Sequence, residues 1–233
     1  MILAERGIDV DHVTVFRWVQ RFTPELIDAA RPSRHTFGNR RFVDETYVKV
    51  SGVWLYVYRA ADQHGQVIDV FVSRRRDIAS ARRFLTAALA ADRSSIEVVT
   101  DRDPALASVL EELIPAAFHD TGQYENNRCE CDHGRLKARL RPMRALKTDR
   151  TASALIRGHA IVQSLRRGHC ERGVETAPEF RLATAFDKLQ LAKGTILPAP
   201  TIRHALRTPN ATPRVTPDGD WPSWCRFRIL LDI

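Results

Sequence analysis

Between positions 41 and 73, apolar and β-branched residues come in three short runs, 41–50, 54–60 and 67–73, rich in Val, Phe, Thr and Tyr. Ser51-Gly52 and Asp62-Gln63-His64-Gly65 separate them. Both connectors are short and turn-like, so the runs predict an antiparallel meander. From 77 to 91 the period changes: Ile78, Ala81, Phe84, Leu85, Ala88 and Leu89 share one face of an Ala-rich helix. A short strand over 96–100, with Val98 and Val99, ends at Asp101. Asp103 supplies a short acceptor and Pro104 a fixed φ, the start of a helix over 104–113. A very short strand at 117–118 and two further helices, over 126–140 and 151–167, complete the pattern. Hairpin strands followed by alternating helices and strands predict an α/β domain: a mixed sheet with helices on both faces.

The flanks read differently. Residues 1–30 are helical in pattern, with Leu3, Ile8, Val10, Val13, Phe16, Val19 and Phe22 as a broken apolar stripe interrupted at Gly7. Asp11 can cap a second helix over 12–21 that carries Thr14, Arg17, Gln20 and Arg21 on its polar side. A short helix, a Gly turn and a helix with Arg and Gln outward is the pattern of a helix-turn-helix, here partial because only about one turn of the first helix is expected. Residues 31–40 are polar, with Pro and Gly, and read as a linker. The stretch from 191 onward holds six of the twelve prolines and no periodicity, which predicts a disordered tail. The expected organisation is therefore 1–30, a partial DNA-binding segment; 31–40, a linker; 41–190, the α/β domain; and 191–233, the tail.

Charge adds a partner. The 233-residue chain carries a net charge of +8, and the excess is one-sided. Residues 1–120 hold 16 basic and 17 acidic side chains, whereas residues 121–233 hold 20 and 11. A basic half is the footprint of a protein that meets a polyanion. With 44% hydrophobic and 27% charged residues, a wholly disordered or collagenous chain is excluded. No apolar run is long enough to span a membrane, and the charged N-terminus does not read as a secretory signal. The four cysteines, at 129, 131, 170 and 225, form no Cys-x-x-Cys pair, and a cytoplasmic location with reduced thiols is expected.

Three acidic residues stand where this element order would bring them together. Asp44 lies inside an apolar strand, a costly place for a charge unless it is paired or binds a metal. Asp101 ends the fourth strand, at the mouth of the sheet. Glu130 starts the long polar helix. Two Asp and a Glu can hold Mg²⁺ or Mn²⁺ through hard oxygen ligands, and a pair of such ions serves phosphodiester chemistry. Glu45, Asp103, Glu125 and Asp132 are rivals for these roles. Glu45 points to the opposite strand face, and Asp103 is better used as a cap. On the helix, His133 and Lys137 follow Glu130 on one face, where they could grip a phosphate of a bound strand. Arg135, Arg139, Arg141 and Arg144 extend the basic surface. Zinc at Cys129, Cys131 and His133 is set aside, because residues i and i+2 of a helix point about 200° apart.

The order of elements is that of a ribonuclease-H-like fold. The local words Val-Asp-Glu-Thr-Tyr-Val-Lys-Val at 43–50, Thr-Asp-Arg-Asp-Pro-Ala at 100–105 and Asn-Asn-Arg-Cys-Glu-Cys-Asp-His-Gly-Arg-Leu-Lys-Ala-Arg-Leu-Arg-Pro-Met-Arg at 126–144 closely resemble the DDE transposases of bacterial insertion sequences. The resemblance is greatest to the insertion sequence six family and covers roughly residues 1–190. It implies that Asp44, Asp101 and Glu130 are the catalytic, metal-binding triad. It also implies an N-terminal helix-turn-helix, with Arg17, Gln20 and Arg21 facing DNA. The implied function is cleavage and strand transfer at insertion-sequence ends, in replicative transposition that forms a cointegrate. The implied partners are DNA, as element ends and target duplex, and further copies of the chain in a dimer or larger synaptic complex beside the nucleoid. No nucleotide cofactor is expected. Two rivals stay open on sequence alone: a DNA-binding regulator, and a remnant that folds without transposing.

Overall fold

The computed structural model describes residues 12–91, 97–101, 103–122, 127–140 and 146–192. The chain divides into two compact units, His35–His169 and a second one made of Met1–Arg34 with Cys170–Ile233.

The larger unit is built on a five-stranded sheet. Its strands are β1 (Arg40–Val50), β2 (Val53–Asp62), β3 (Val67–Ser73), β4 (Glu97–Thr100) and β5 (Phe118–Asp120), in spatial order β3-β2-β1-β4-β5. β1, β2 and β3 form the expected meander, while β4 runs parallel to β1 and β5 parallel to β4. The β1–β2 connection is a two-residue turn with Ser51 at φ 46° and Gly52 at φ 85°. Two positive φ values match the twist of a hairpin, and glycine adopts the second without a Cβ clash. The Asp62 carboxylate organises the β2–β3 turn: one oxygen accepts from His64 N and Gln66 N, the other from Gly38 N.

Successive residues of β1 point to opposite faces, so the alternation sorts two cores. Val43, Tyr58, Ala60 and Val98 pack under the helices Ile78–Ala91 and Pro104–Leu113, through Phe84, Leu85, Leu106 and Leu110. Val48, Val50, Leu55 and Val57 pack on the other face under the helices Asn127–Leu140 and Asp149–Arg166, through Leu136, Ala152 and Ile156. The expectation of a mixed sheet covered on both faces is met. The Asp103 cap is the one the sequence signals; Asp77, read as the first residue of its helix, is a cap as well. Asp77 Oδ1 accepts from Ser80 N and Asp103 Oδ1 from Ala105 N.

In the smaller unit, α1 is a single helix, His12–Ala30. The helices just introduced in the larger unit are α2 (Ile78–Ala91), α3 (Pro104–Leu113), α4 (Asn127–Leu140) and α5 (Asp149–Arg166), and α6 is Arg181–Ala192. α1 does not stop at residue 21; it continues through Pro24. The reason is burial: Val19, Phe22, Leu26, Ile27 and Ala30 form one stripe across the proline. Leu182, Ala185, Phe186 and Leu189 of α6 are likewise buried, and the two helices pack together. Residues 170–190, expected to close the α/β domain, therefore group with the N-terminal helix instead. A bridge between Arg34 and Cys170 and a hydrogen bond from Glu171 N to Ser33 O join the two stretches. Cys170 is a free, buried thiol, and its burial raises its pKa. The first helix expected near residues 1–10 and the tail from 193 onward lie outside the described residues. Among the described residues no helix is long and apolar enough to cross a membrane.

Candidate active site

Asp44 sits in the middle of β1, opposite Arg59 of β2, and its side chain is buried on the α4 face. The parallel pairing of β1 with β4 ends at Val43 and Thr100. The next residue of β1 is Asp44 and the residue that follows β4 is Asp101, so the register brings the two aspartates to the same end of the pair. Asp44 Oδ1 accepts from Glu45 N at 2.8 Å. Asp101 Oδ1 accepts from Asp103 N at 3.3 Å. Burial holds the Asp101 carboxyl above its ordinary pKa. The Asp103 N–H opposes that shift, and the negative charge of Asp44 adds to it. A buried and a half-buried carboxylate that repel each other are an arrangement a divalent cation relieves.

Glu130 belongs to α4 and lies one turn before His133. Its side chain is outside the described set, as are those of Cys129, Cys131, Asp132 and Arg139 and the whole of Arg141 and Arg144. The next turn of α4 nevertheless fixes the orientation of the helix. His133 Nδ1 lies 3.2 Å from Asp44 Oδ2, and Leu136 is buried against the sheet. Positions three and four apart on a helix share a face, so position 130 is on the face turned toward Asp44.

The structure departs from expectation at His133. The ring is 5% exposed and faces Asp44 rather than solvent. An imidazole buried against a carboxylate is not presented to a passing phosphate. Its place is decided by α4 docking on β1, which the helix pattern alone does not show. Lys137 is half-buried, with Nζ 4.8 Å from the centre of the Tyr47 ring, a cation–π contact at the flank of β1. Arg135 is exposed. On α1, Arg17 and Arg21 are exposed and Gln20 is half-buried, as the polar side of that helix requires. Among the described residues no group of three or more His, Cys, Asp or Glu is clustered to hold a metal, the Glu130 side chain being outside that set.

A second set of charges, which sequence reasoning missed, lies on the other side of β1. Arg76, at the β3–α2 junction, spans Glu45 Oε1 at 2.9 Å and Asp103 Oδ2 at 2.6 Å. Tyr58 hydrogen-bonds to Glu45. Burial raises the pKa of both Glu45 and Tyr58, and for Tyr58 the adjacent Glu45 charge adds to the effect. In sequence, Arg76 is the last of three consecutive arginines. Such a run reads as a solvated face, so it carried no signal. Below the sheet end, Thr100 Oγ1 donates to the Asp101 carbonyl and lies 2.7 Å from His119 Nε2, tying β4 to β5.

A family profile described as a DDE domain matches residues 38–169. Over 152 residues the chain is 34% identical to the Staphylococcus aureus transposase for insertion sequence-like element IS431mec, covering 63% of this chain and 68% of that one. It is 33% identical over 152 residues to the S. aureus transposase for insertion sequence element IS257 in transposon Tn4003, with the same coverage. The chain thus spans about two thirds of the length of these relatives. Among solved structures, it is similar to a chain of the simian T-cell lymphotropic virus intasome in complex with a PP2A regulatory subunit. There the identity is 20% and the TM-score 0.42, over 52% of this chain and 48% of that chain.

Proposed function

The chain belongs to the DDE transposases of the insertion sequence six family, and from that premise we propose how it acts on DNA and with which residues. It is a transposase, and so a polynucleotidyl transferase, with a ribonuclease-H-like catalytic core. In our reading it cleaves DNA at the ends of its insertion element and joins the freed 3′ ends to target DNA, in replicative transposition that leaves a cointegrate. The single observation that supports this most is the setting of Asp44 in β1 next to Asp101, which directly follows the parallel strand β4, each at least partly withdrawn from water.

Asp44, Asp101 and Glu130 are the carboxylates assigned to catalysis and to a pair of Mg²⁺ or Mn²⁺ ions. The fit rests on the donor set: hard oxygens, with a buried Asp44 and a half-buried Asp101 that repel each other, and α4 turning position 130 toward them. When bound, such ions activate the attacking oxygen and stabilise the leaving one in phosphodiester cleavage. The chain's own groups do the positioning. β1 and β4 present the two aspartates side by side. His133 holds Asp44 Oδ2, and the Asp103 N–H holds Asp101 Oδ1. Arg135, Lys137, Arg139, Arg141 and Arg144 are assigned to the DNA backbone, which carries charge but little sequence information. Arg17, Gln20 and Arg21 are assigned to reading the element ends from α1. Joining two ends calls for at least two copies of the chain, acting in the bacterial cytoplasm on chromosomal or plasmid DNA.

The test is nicking of a labelled terminal-repeat duplex by the full chain in Mg²⁺. Asp44→Asn, Asp101→Asn and Glu130→Gln each remove metal-binding charge with little change in volume. Each is expected to abolish nicking while leaving duplex binding and the melting temperature near wild type. Nicking at the wild-type rate by any one of them removes that residue from the triad.

A further inference from the structure

We infer that Arg76 is a positioning residue for the metal-binding end of the sheet, locking the Asp101 turn to β1 through one guanidinium. The inference rests on the assignment of Asp101 to metal binding. Arg76 Nε meets Glu45 Oε1 and Nη2 meets Asp103 Oδ2, so one planar fork spans two carboxylates. Both carboxylates are nearly sealed, with side chains 6% and 5% exposed, while the arginine itself is half open to solvent.

Each end of this clamp is one short step from a proposed metal ligand. Glu45 follows Asp44 on β1, and its backbone N–H donates to Asp44 Oδ1. Asp103 donates its own N–H to Asp101 Oδ1 while its side chain caps α3 at Ala105 N, 2.7 Å away. The Arg76 fork therefore links the strand that carries Asp44 to the turn that carries Asp101. Without it, Glu45 and Asp103 would be two buried like charges facing each other. Their repulsion, together with the cost of keeping an unpaired carboxylate from water, would push the turn away from β1. Tyr58 restrains Glu45 but cannot replace a charge. The neighbouring arginine Arg74 is engaged elsewhere, with Asp149, and cannot substitute.

A residue with this role should govern metal affinity, not DNA affinity. Groups that orient metal ligands are commonly worth about 10- to 100-fold in metal binding. The experiment uses the full chain without DNA. Mn²⁺ binding is measured by calorimetry for wild type, Asp101→Asn, Arg76→Lys, Arg76→Gln, and Arg76→Gln combined with Glu45→Gln. The double variant removes the buried charge that Arg76→Gln would leave exposed to repulsion, so a folded protein is available if the single variant is not. Single-turnover nicking against Mn²⁺ and against DNA concentration runs alongside.

Arg76→Gln and the double variant are expected to bind Mn²⁺ at least about tenfold more weakly. Arg76→Lys should recover only part of the loss, since one ammonium cannot reproduce the two-pronged contact. DNA affinity and its salt dependence should stay at wild-type values, and nicking should recover at high Mn²⁺. Unchanged Mn²⁺ affinity, with weaker DNA binding and a shallower salt slope, would make Arg76 a phosphate contact and overturn the inference. Mn²⁺ affinity unchanged in Asp101→Asn would overturn the assignment of Asp101 and the inference with it. A drop in Asp101→Asn with none in the Arg76 variants would overturn the inference alone.

Discussion

Replacing His133 separates the structural reading of α4 from the one its sequence suggests. His133 Nδ1 lies 3.2 Å from Asp44 Oδ2, within hydrogen-bonding reach, and both side chains are at least nine-tenths buried. A hydrogen bond to a charged group contributes about 1.5–3 kcal/mol. Solvent screening is small at this depth, so little discount applies. At about 1.4 kcal/mol per decade, its loss corresponds to roughly 10- to 150-fold. His133→Leu keeps the bulk but removes the donor. His133→Asn is smaller, yet its amide nitrogen takes the place of Nδ1. The leucine variant is therefore expected to need about 10- to 100-fold more Mn²⁺ for half-maximal single-turnover nicking, and the asparagine variant to lie close to wild type. The concentration of DNA giving half-maximal rate should not change in either. If His133→Leu weakens DNA binding while its Mn²⁺ requirement stays at the wild-type value, the imidazole is a DNA contact and the argument from the Asp44 geometry fails. Equal loss in the two variants would show that packing rather than the donor matters.

Burial lowers the pKa of His169, with the Asp62 charge opposing and the nearby Arg167, His35 and His64 reinforcing the shift. The unfolded chain takes up this proton near the ordinary histidine value of about 6.5, before the folded chain does. Stability from this site is then complete above about pH 6.5 and falls as pH drops toward the lower folded value. His169→Gln should flatten the difference between urea midpoints at pH 7.5 and 5.5, and an unaltered difference would remove His169 as its source. Replacing Arg17, Gln20 and Arg21 together by Ala should weaken binding to terminal-repeat DNA more than binding to random duplex, measured at one salt concentration. Equal loss on both would show that α1 does not read sequence.

Much of the catalytic unit could be read locally. The meander, the Ser51-Gly52 turn, the Asp103 cap and the α2 stripe each depend on residues within one turn or one hairpin of each other, where periodicity, φ preference and capping act directly. Asp44 was legible for a related reason: a charge inside an apolar strand demands a compensation that ordinary packing does not provide. Tertiary structure decided what lies across long sequence distances. α4 and β1 are far apart in the chain, and only their docking turns His133 inward to Asp44. Arg76 looks like one of three equivalent surface arginines until the fold places two sealed carboxylates within its reach. The helix at 181–192 has a face that any apolar partner could cover, and the fold pairs it with α1, whose own buried stripe carries that helix through Pro24. Local propensity is a matter of fractions of a kcal/mol per residue, whereas burying a side chain or pairing an enclosed charge is worth one to several. Where the two compete, as at Pro24 and His133, burial prevails, and the partner that burial brings cannot be read from the neighbouring residues.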